Sequence, residues 1–298
     1  MPSRDCEQVT AAAGRAAGHP VALPVPPAEL GEGPCWDAGS QSLFWIDVPA
    51  GLVYRIDAAG DLARWDVGQP VGAVMTRAAG GLVLAARDGF LALDLDSGAA
   101  TLLASVEADL PGNRMNDGAC DRVGRYYAGT MAADERPGAG ALYRLDPDLT
   151  MTRLLTGIGI SNGIGWSPDE RLMYYVDSLD YQVDVLDYDA ASGAIRGRRP
   201  FARVGQDGVL PDGLTVDAEG GVWVALWGGG ALRRYAPDGT LTREVPFPHA
   251  NVTSCAFGGA GLELLYVTTA AGPGAEAGGG LFVLEPGVAG QPSYPFRG

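Results

Sequence analysis

One unit recurs along this chain, and its recurrence constrains the fold more than any single motif. From Asn162 the sequence reads NGIGWS, the turn SPDE, RLMYYVD, a linker, QVDVLDYD, the turn ASG and AIRGRRPFA. From Asp212 the plan repeats as DGLTVD, AEGG, VWVAL, WGGG, ALRRYA, PDG and TLTREV. A third copy opens at Asn116 with NDGACD, RVG and RYYAGT, then a longer linker, ALYRLD, PDL and TMTRLL. Each copy holds four short apolar runs separated by Gly, Asp, Asn and Pro, which is strand-and-turn chemistry. Fainter copies begin at Glu32, Gly72 and Asn251, so the starts are spaced by 40, 44, 46, 50 and 39 residues. Six four-stranded units of this size predict an all-β chain: a six-bladed β-propeller of four-stranded antiparallel blades. No long stretch carries a sustained 3.6-residue period, which argues against an α/β fold.

Residues 1–19 read as a flexible tail, without the continuous apolar core of a signal peptide, and residues 20–298 as one propeller domain. The Pro-rich segment PVALPVPP at 20–27 precedes the first unit. Proline is tolerated on edge strands, so this segment is expected to pair as the outermost strand of the last blade and close the ring. The formal net charge of −15 repels phosphate backbones and anionic membranes, which speaks against nucleic-acid and membrane partners. No apolar run is long enough for a transmembrane helix. The four cysteines, Cys6, Cys35, Cys120 and Cys255, form no C-x-x-C pair, and three lie in apolar runs. Reduced, buried thiols and a cytoplasmic location follow as expectations.

Propeller topology sorts the connections between two faces. The first strand of each blade starts at one face, here the upper. The turns between strands one and two and between three and four then lie below. The lower connections are short and rich in Gly, Asp and Pro. The upper connections carry other chemistry. Glu32, Asn116, Asn162 and Asp212 all stand at the entrance of a first strand, with Arg114 just before one of them. Trp227 and the linkers 131–140 and 270–280 fall on the same face. An Asx residue before a strand often only caps a turn. Four polar side chains at equivalent entrances instead converge on the axis, and two of them are carboxylates. Crowded carboxylates repel one another unless a cation lies between them. Glu32, Asn162 and Asp212 offer oxygen donors only, which favours a hard divalent ion. The two histidines, His19 and His249, have no companion Cys or His, so a closed structural zinc site is not expected.

The strings LGEGPCW, NRMNDG, YYAGTMA, ISNGIGWS, YYVDS, LPDGLTVDAEG and TSCAFGG, in this order from about residue 30 to residue 290, resemble the regucalcin–gluconolactonase family. That family, also called senescence marker protein-like, consists of six-bladed propeller lactonases. The resemblance implies a metal-dependent carboxylic-ester hydrolase that opens sugar lactones, such as gluconolactone or a pentonolactone, to the aldonic acid. It implies Glu32, Asn162 and Asp212 as ligands of one divalent ion. Ca²⁺ is the first expectation, with Mg²⁺, Mn²⁺, Zn²⁺ or Fe²⁺ as alternatives. Arg114 and Asn116 become substrate-binding residues. Asp134 in GTMAAD takes a position often held by a Glu that grips substrate hydroxyls, and is the shorter acid. Asp212 is the candidate general base. The partner is a small sugar lactone, and the chain is expected as a monomer or small homo-oligomer.

Three rivals stand beside this reading. Gly159-Ile160-Ser161-Asn162-Gly163 matches G-x-S-x-G, although a strand rather than a helix follows it. A non-catalytic calcium- or small-ligand-binding propeller shares the fold. So does a propeller esterase or phosphotriesterase-like hydrolase.

Overall fold

The computed structural model describes residues 18–273 and 275–298. Most of the expected tail, residues 1–17, lies outside the described residues, as does Cys6. Twenty-four strands form six antiparallel four-stranded sheets, and among the described residues the only helical element is a 3-10 turn, Ser178–Asp180. The chain is a six-bladed β-propeller.

The six inner strands line the axis: Gly31–Asp37, Val71–Thr76, Asn113–Cys120, Ser161–Trp166, Leu210–Val216 and Val252–Gly258, for blades I to VI. Moving outward in blade IV, the next strands are Leu172–Asp177, Gln182–Asp189 and Ala194–Arg203. The burial pattern follows position. Second strands such as Leu82–Ala86 and Tyr126–Ala132 are buried at every residue and almost wholly apolar, with Thr130 the polar exception. The outer strand Leu62–Asp66 alternates between exposed and half-buried residues. Apolar side chains fill the spaces between blades. Cys35, Cys120 and Cys255 are buried, free thiols within this packing.

Blade VI closes the ring with the start of the described chain. Val21–Ala22 pairs antiparallel with Leu281–Leu284, with Val21 opposite Val283 and Ala22 opposite Phe282. Further along, Leu23 N–H donates to Leu281 O at 2.8 Å, and Ala28 bridges Gly279. The Pro-rich segment therefore does pair as the edge of the last blade. Its prolines fall beside the two paired residues rather than on them.

The sequence pattern did not announce a strap across the lower face. Gly290 bridges Asp217 in blade V, the Gln291 side chain donates to Trp166 O at 3.0 Å and Val216 O at 3.3 Å, and Phe296 bridges Arg77 in blade II. Phe296 is fully buried and anchors the strap in the core, while Pro292 and Ser293 stay exposed. The lower end of the axis is covered, and the upper end is left for a site.

Candidate metal centre and substrate cavity

Every inner strand carries a register irregularity just inside its entrance: Glu32/Cys35, Val71/Ala73, Met115/Gly118, Ser161/Ile164, Pro211/Leu214 and Val252/Ser254. A bulge adds a residue to one strand and re-aims its side chains. In blades I, III, IV and V a polar residue sits at the bulge and a glycine follows closely. Gly33 has φ +53°, a conformation that favours a residue without Cβ. At Gly163 a Cβ would lie 2.6 Å from Leu214 N, so the inner strands can approach only because the side chain is missing. Bulge plus glycine is how this sequence turns Glu32, Asn116, Asn162 and Asp212 onto the axis.

These four residues form the floor of an upper-face cavity of about 230 Å³. Glu32, Asn162 and Asp212 are buried. Glu32 accepts its neighbour Gly33 N–H at 3.0 Å. Asn162 Nδ2 donates to Ser178 Oγ at 3.1 Å, which fixes the amide. Its Oδ1 is buried and has no donor. A buried carbonyl-type oxygen without a donor is costly unless something electropositive faces it.

Electrostatics points the same way. Burial pushes the Glu32 carboxyl well above its ordinary range, and repulsion from Asp212 and Asp117 adds to it. Burial also pushes Asp212 well up, with Asp117 again repelling it, while the Asn162 amide, Gly213 N–H and Arg114 partly offset the shift. Asp117, beneath them, is raised to about 6, mainly by burial. The guanidinium of Arg114 is the cation facing these acids. When ionised, Glu32, Asp212 and Asp117, with Glu135 on the wall, outnumber the single guanidinium, and a cation would offset the surplus. Each uncompensated buried charge costs several kcal/mol. Among the described residues no group of three or more His, Cys, Asp or Glu side chains could hold a metal. The donor set that fits a hard cation therefore mixes carboxylates with the amide oxygen of Asn162.

Arg114 and Asn116 are locked to one another and to the fold. Arg114 Nη1 donates to Asn116 Oδ1 at 2.7 Å and to Met115 O at 3.1 Å, while Asn116 Nδ2 donates to Ser161 O at 2.8 Å. Burial lowers the Arg114 pKa, and Glu32, Glu135 and Asp212 counteract this.

Asp134 does not join this group. It is exposed on the loop beyond Ala132, and Arg136 Nη1 donates to both its carboxylate oxygens at 3.0 Å. The cavity-lining acid is its neighbour Glu135, whose backbone is left-handed with φ +56°. Trp227 lines the wall as expected from its place on the upper face. Ser161 is fully buried, and its Oγ accepts Tyr175 OH at 2.8 Å. No histidine lines the cavity; the His249 ring is engaged with Thr269 in blade VI, 2.7 Å from its hydroxyl. The G-x-S-x-G string thus has neither an exposed hydroxyl nor a base.

Two acids at the site, Asp117 and Glu135, are not singled out by the repeat pattern. Strict strand alternation turns Asp117 away from the axis once Asn116 points toward it. The bulge between Met115 and Gly118 removes that constraint. The adjacent Asn-Asp-Gly was the available signal.

The family described as SMP-30/Gluconolactonase/LRE-like region matches residues 30–271. Regucalcin from Bos taurus is 38% identical over 283 residues, covering 90% of this chain and 95% of that protein. A solved luciferin-regenerating enzyme superposes with a TM-score of 0.86 at 30% identity, covering 92% of this chain and 97% of that one. Regucalcin from Agrobacterium tumefaciens, described as a calcium-binding protein, superposes with a TM-score of 0.86 at 31% identity, covering 91% and 95%. These relationships support a sugar-lactone hydrolase or a calcium-binding propeller in general terms. With half of its length exceeded by the family match and with relatives above 30% identity along nearly all of it, the chain belongs to the SMP-30/gluconolactonase/LRE-like family.

Proposed function

We propose that the protein is a divalent-metal-dependent lactonase acting on sugar lactones at its upper-face cavity. One observation carries this reading. The donorless Oδ1 of Asn162 lies with Glu32 and Asp212 in a floor of uncompensated negative charge, directly under a cavity walled by Arg114. A protein that only stores calcium needs the floor but not a guanidinium and a cavity of about 230 Å³ above it. That volume is below the roughly 300–1,000 Å³ of sites for drug-sized ligands and suits a single sugar ring.

Glu32, Asn162 and Asp212 would hold the ion, and Ca²⁺ would suit their oxygen donors. When bound, the ion supplies Lewis-acid polarisation of the lactone carbonyl and offsets the negative charge that develops on its oxygen. Arg114 donates to ring hydroxyls or to the ester oxygen and sets the ring's orientation. Asn116, held by Arg114 and Ser161 O, keeps that guanidinium in register with the floor. Asp212 takes a proton from the attacking water at a carboxylate oxygen. The water oxygen bonds to the carbonyl carbon, the ring acyl C–O bond breaks, and the ring oxygen leaves as the alcohol, taking the proton held on Asp212. Glu135, rather than the outward-turned Asp134, is positioned to accept substrate hydroxyls from the wall.

The test is acid release from gluconolactone, with spontaneous hydrolysis subtracted, by protein stripped of metal and reloaded with Ca²⁺, Mg²⁺, Mn²⁺, Zn²⁺ or Fe²⁺. Turnover that returns with at least one ion is expected. Equal turnover in fully stripped protein overturns the metal assignment. Metal binding without turnover of any sugar lactone favours the calcium-binding reading.

A further inference from the structure

The polar floor is only the lower of two layers in this cavity. Strand side chains two residues apart share a face and stand about 6.6 Å apart along the strand. Two positions upstream of Glu32, Asn116, Asn162 and Asp212 are Leu30, Arg114, Ile160 and Leu210, and all four line the same cavity. The upper layer is therefore three aliphatic side chains and one guanidinium. Second strands reinforce the split. Met131 stands opposite Arg114 and bridges Ile160, and Trp227 stands opposite Leu210. Charged recognition is confined to one side, at Arg114 and Glu135. On the side formed by blades I, IV and V the side chains above the floor are mainly hydrocarbon, the polar atoms there being the Ser178 hydroxyl, which accepts from Asn162, and the Trp227 indole N–H.

A fully hydroxylated lactone presents hydroxyls around its whole ring. Those facing Leu30, Ile160 and Leu210 lose water without gaining a partner, which costs free energy. A ring bearing hydroxyl or ester oxygens on one edge and hydrocarbon on the other matches both sides. We propose that the preferred substrates of this site are lactones with an apolar substituent, either deoxy or alkyl-bearing, and that Leu30, Ile160, Leu210 and Trp227 form the collar that selects them. The inference rests on the lactonase reading and specifies its substrate class. The chemistry is unchanged. Water adds to the carbonyl carbon, the acyl C–O bond breaks, one proton passes to the ring oxygen, and the other is released to solvent as the hydroxy acid ionises. No electrons are transferred.

The experiment compares D-glucono-1,5-lactone, δ-valerolactone and δ-nonalactone with the ion-loaded full chain, following acid release. The collar predicts kcat/KM rising from δ-valerolactone to δ-nonalactone by roughly fourfold for each methylene it covers. It also predicts that Leu210→Asn lowers the ratio of alkyl-lactone to gluconolactone turnover by about tenfold. Trp227→Gln, at a half-exposed position, tests the same ratio should Leu210→Asn fail to fold. Gluconolactone turnover with no gain from the alkyl chain overturns the collar and leaves the lactonase reading standing. An unchanged ratio in both folded variants also overturns it. Failure of all three lactones under every ion overturns both.

Discussion

The two ends of the axial strands bury carboxylates to the same depth and use them in opposite ways. At the lower end Asp121 and Asp217 are 2% and 0% exposed, and at the upper end Glu32 and Asp212 are 7% and 6% exposed. Asp217 accepts from Glu219 N–H, Gly221 N–H, Trp223 Nε1 and Arg234 Nε at 2.7–3.0 Å. Asp121 accepts from Arg125 N–H at 2.9 Å, Tyr188 OH at 2.7 Å and Tyr127 OH at 3.3 Å, and pairs with the Arg125 guanidinium. Each lower acid is a closed network that staples a turn to its blade. The upper acids repel one another, and Asn162 Oδ1 beside them lacks a donor. Burial alone does not distinguish a site from a staple here. Unpaired burial does, because such charge is tolerable only with an external partner.

The largest expected effect falls on the upper end. Asp212→Asn, which keeps the volume and removes the charge, should lower lactone hydrolysis about 10³-fold. The urea midpoint of the metal-free protein should stay constant or rise, because a repulsion is relieved. A midpoint that falls sharply would merge the two ends and break the contrast.

At the lower end the reverse is expected. Asp217→Ala strips the acceptor from Arg234 Nε, Trp223 Nε1 and two backbone N–H groups, leaving Arg234 only the exposed Glu219, and should cost about 3–5 kcal/mol of unfolding free energy in urea titrations. Activity per folded molecule should not change. Loss of activity in a variant of normal stability would give the lower network a catalytic role.

Next in size is the linkage to protons and ions. Glu32, Asp212 and Asp117 have folded pKa values raised above ordinary ones, so their protonation favours the fold. Their contribution is fully present below the unfolded values near pH 4 and is lost as pH rises through the folded values, about 6 for Asp117. Metal-free protein should therefore show a thermal midpoint that improves, from these groups, as pH falls from 8 toward 5. A divalent ion at a hundred times its Kd should add about 2.7 kcal/mol near neutral pH. That gain should shrink over the same acid window as protons displace the ion. Calorimetry with and without chelator across pH reads both slopes, and parallel curves would mean the ion does not occupy this floor.

The smallest effects separate neighbours on one loop. Glu135→Ala should raise KM about tenfold, the loss of one hydrogen bond to a charged group. Asp134→Ala, which removes only an exposed pair with Arg136, should change KM less than about twofold. Steady-state kinetics in which the two effects are reversed would return the substrate contact to Asp134.

The sequence by itself determined the number of blades, the strand order, and which face carries the site. Apolar runs of strand length, punctuated by turn residues at a regular interval, leave little other choice of architecture. It also placed Glu32, Asn162 and Asp212 together, because equivalent positions in a ring converge on its axis. Tertiary structure decided what depends on local departures from that regularity. The bulge at Met115–Gly118 brought Asp117 under the floor, and the left-handed backbone at Glu135 exchanged it for Asp134 in the cavity. The strap carrying buried Phe296 closed the lower mouth through contacts with strands 75 and 125 residues distant along the chain. A repeat fixes residues that obey its period, whereas a bulge, a reversed backbone angle or a long-range contact is set by neighbours that only the folded chain brings together.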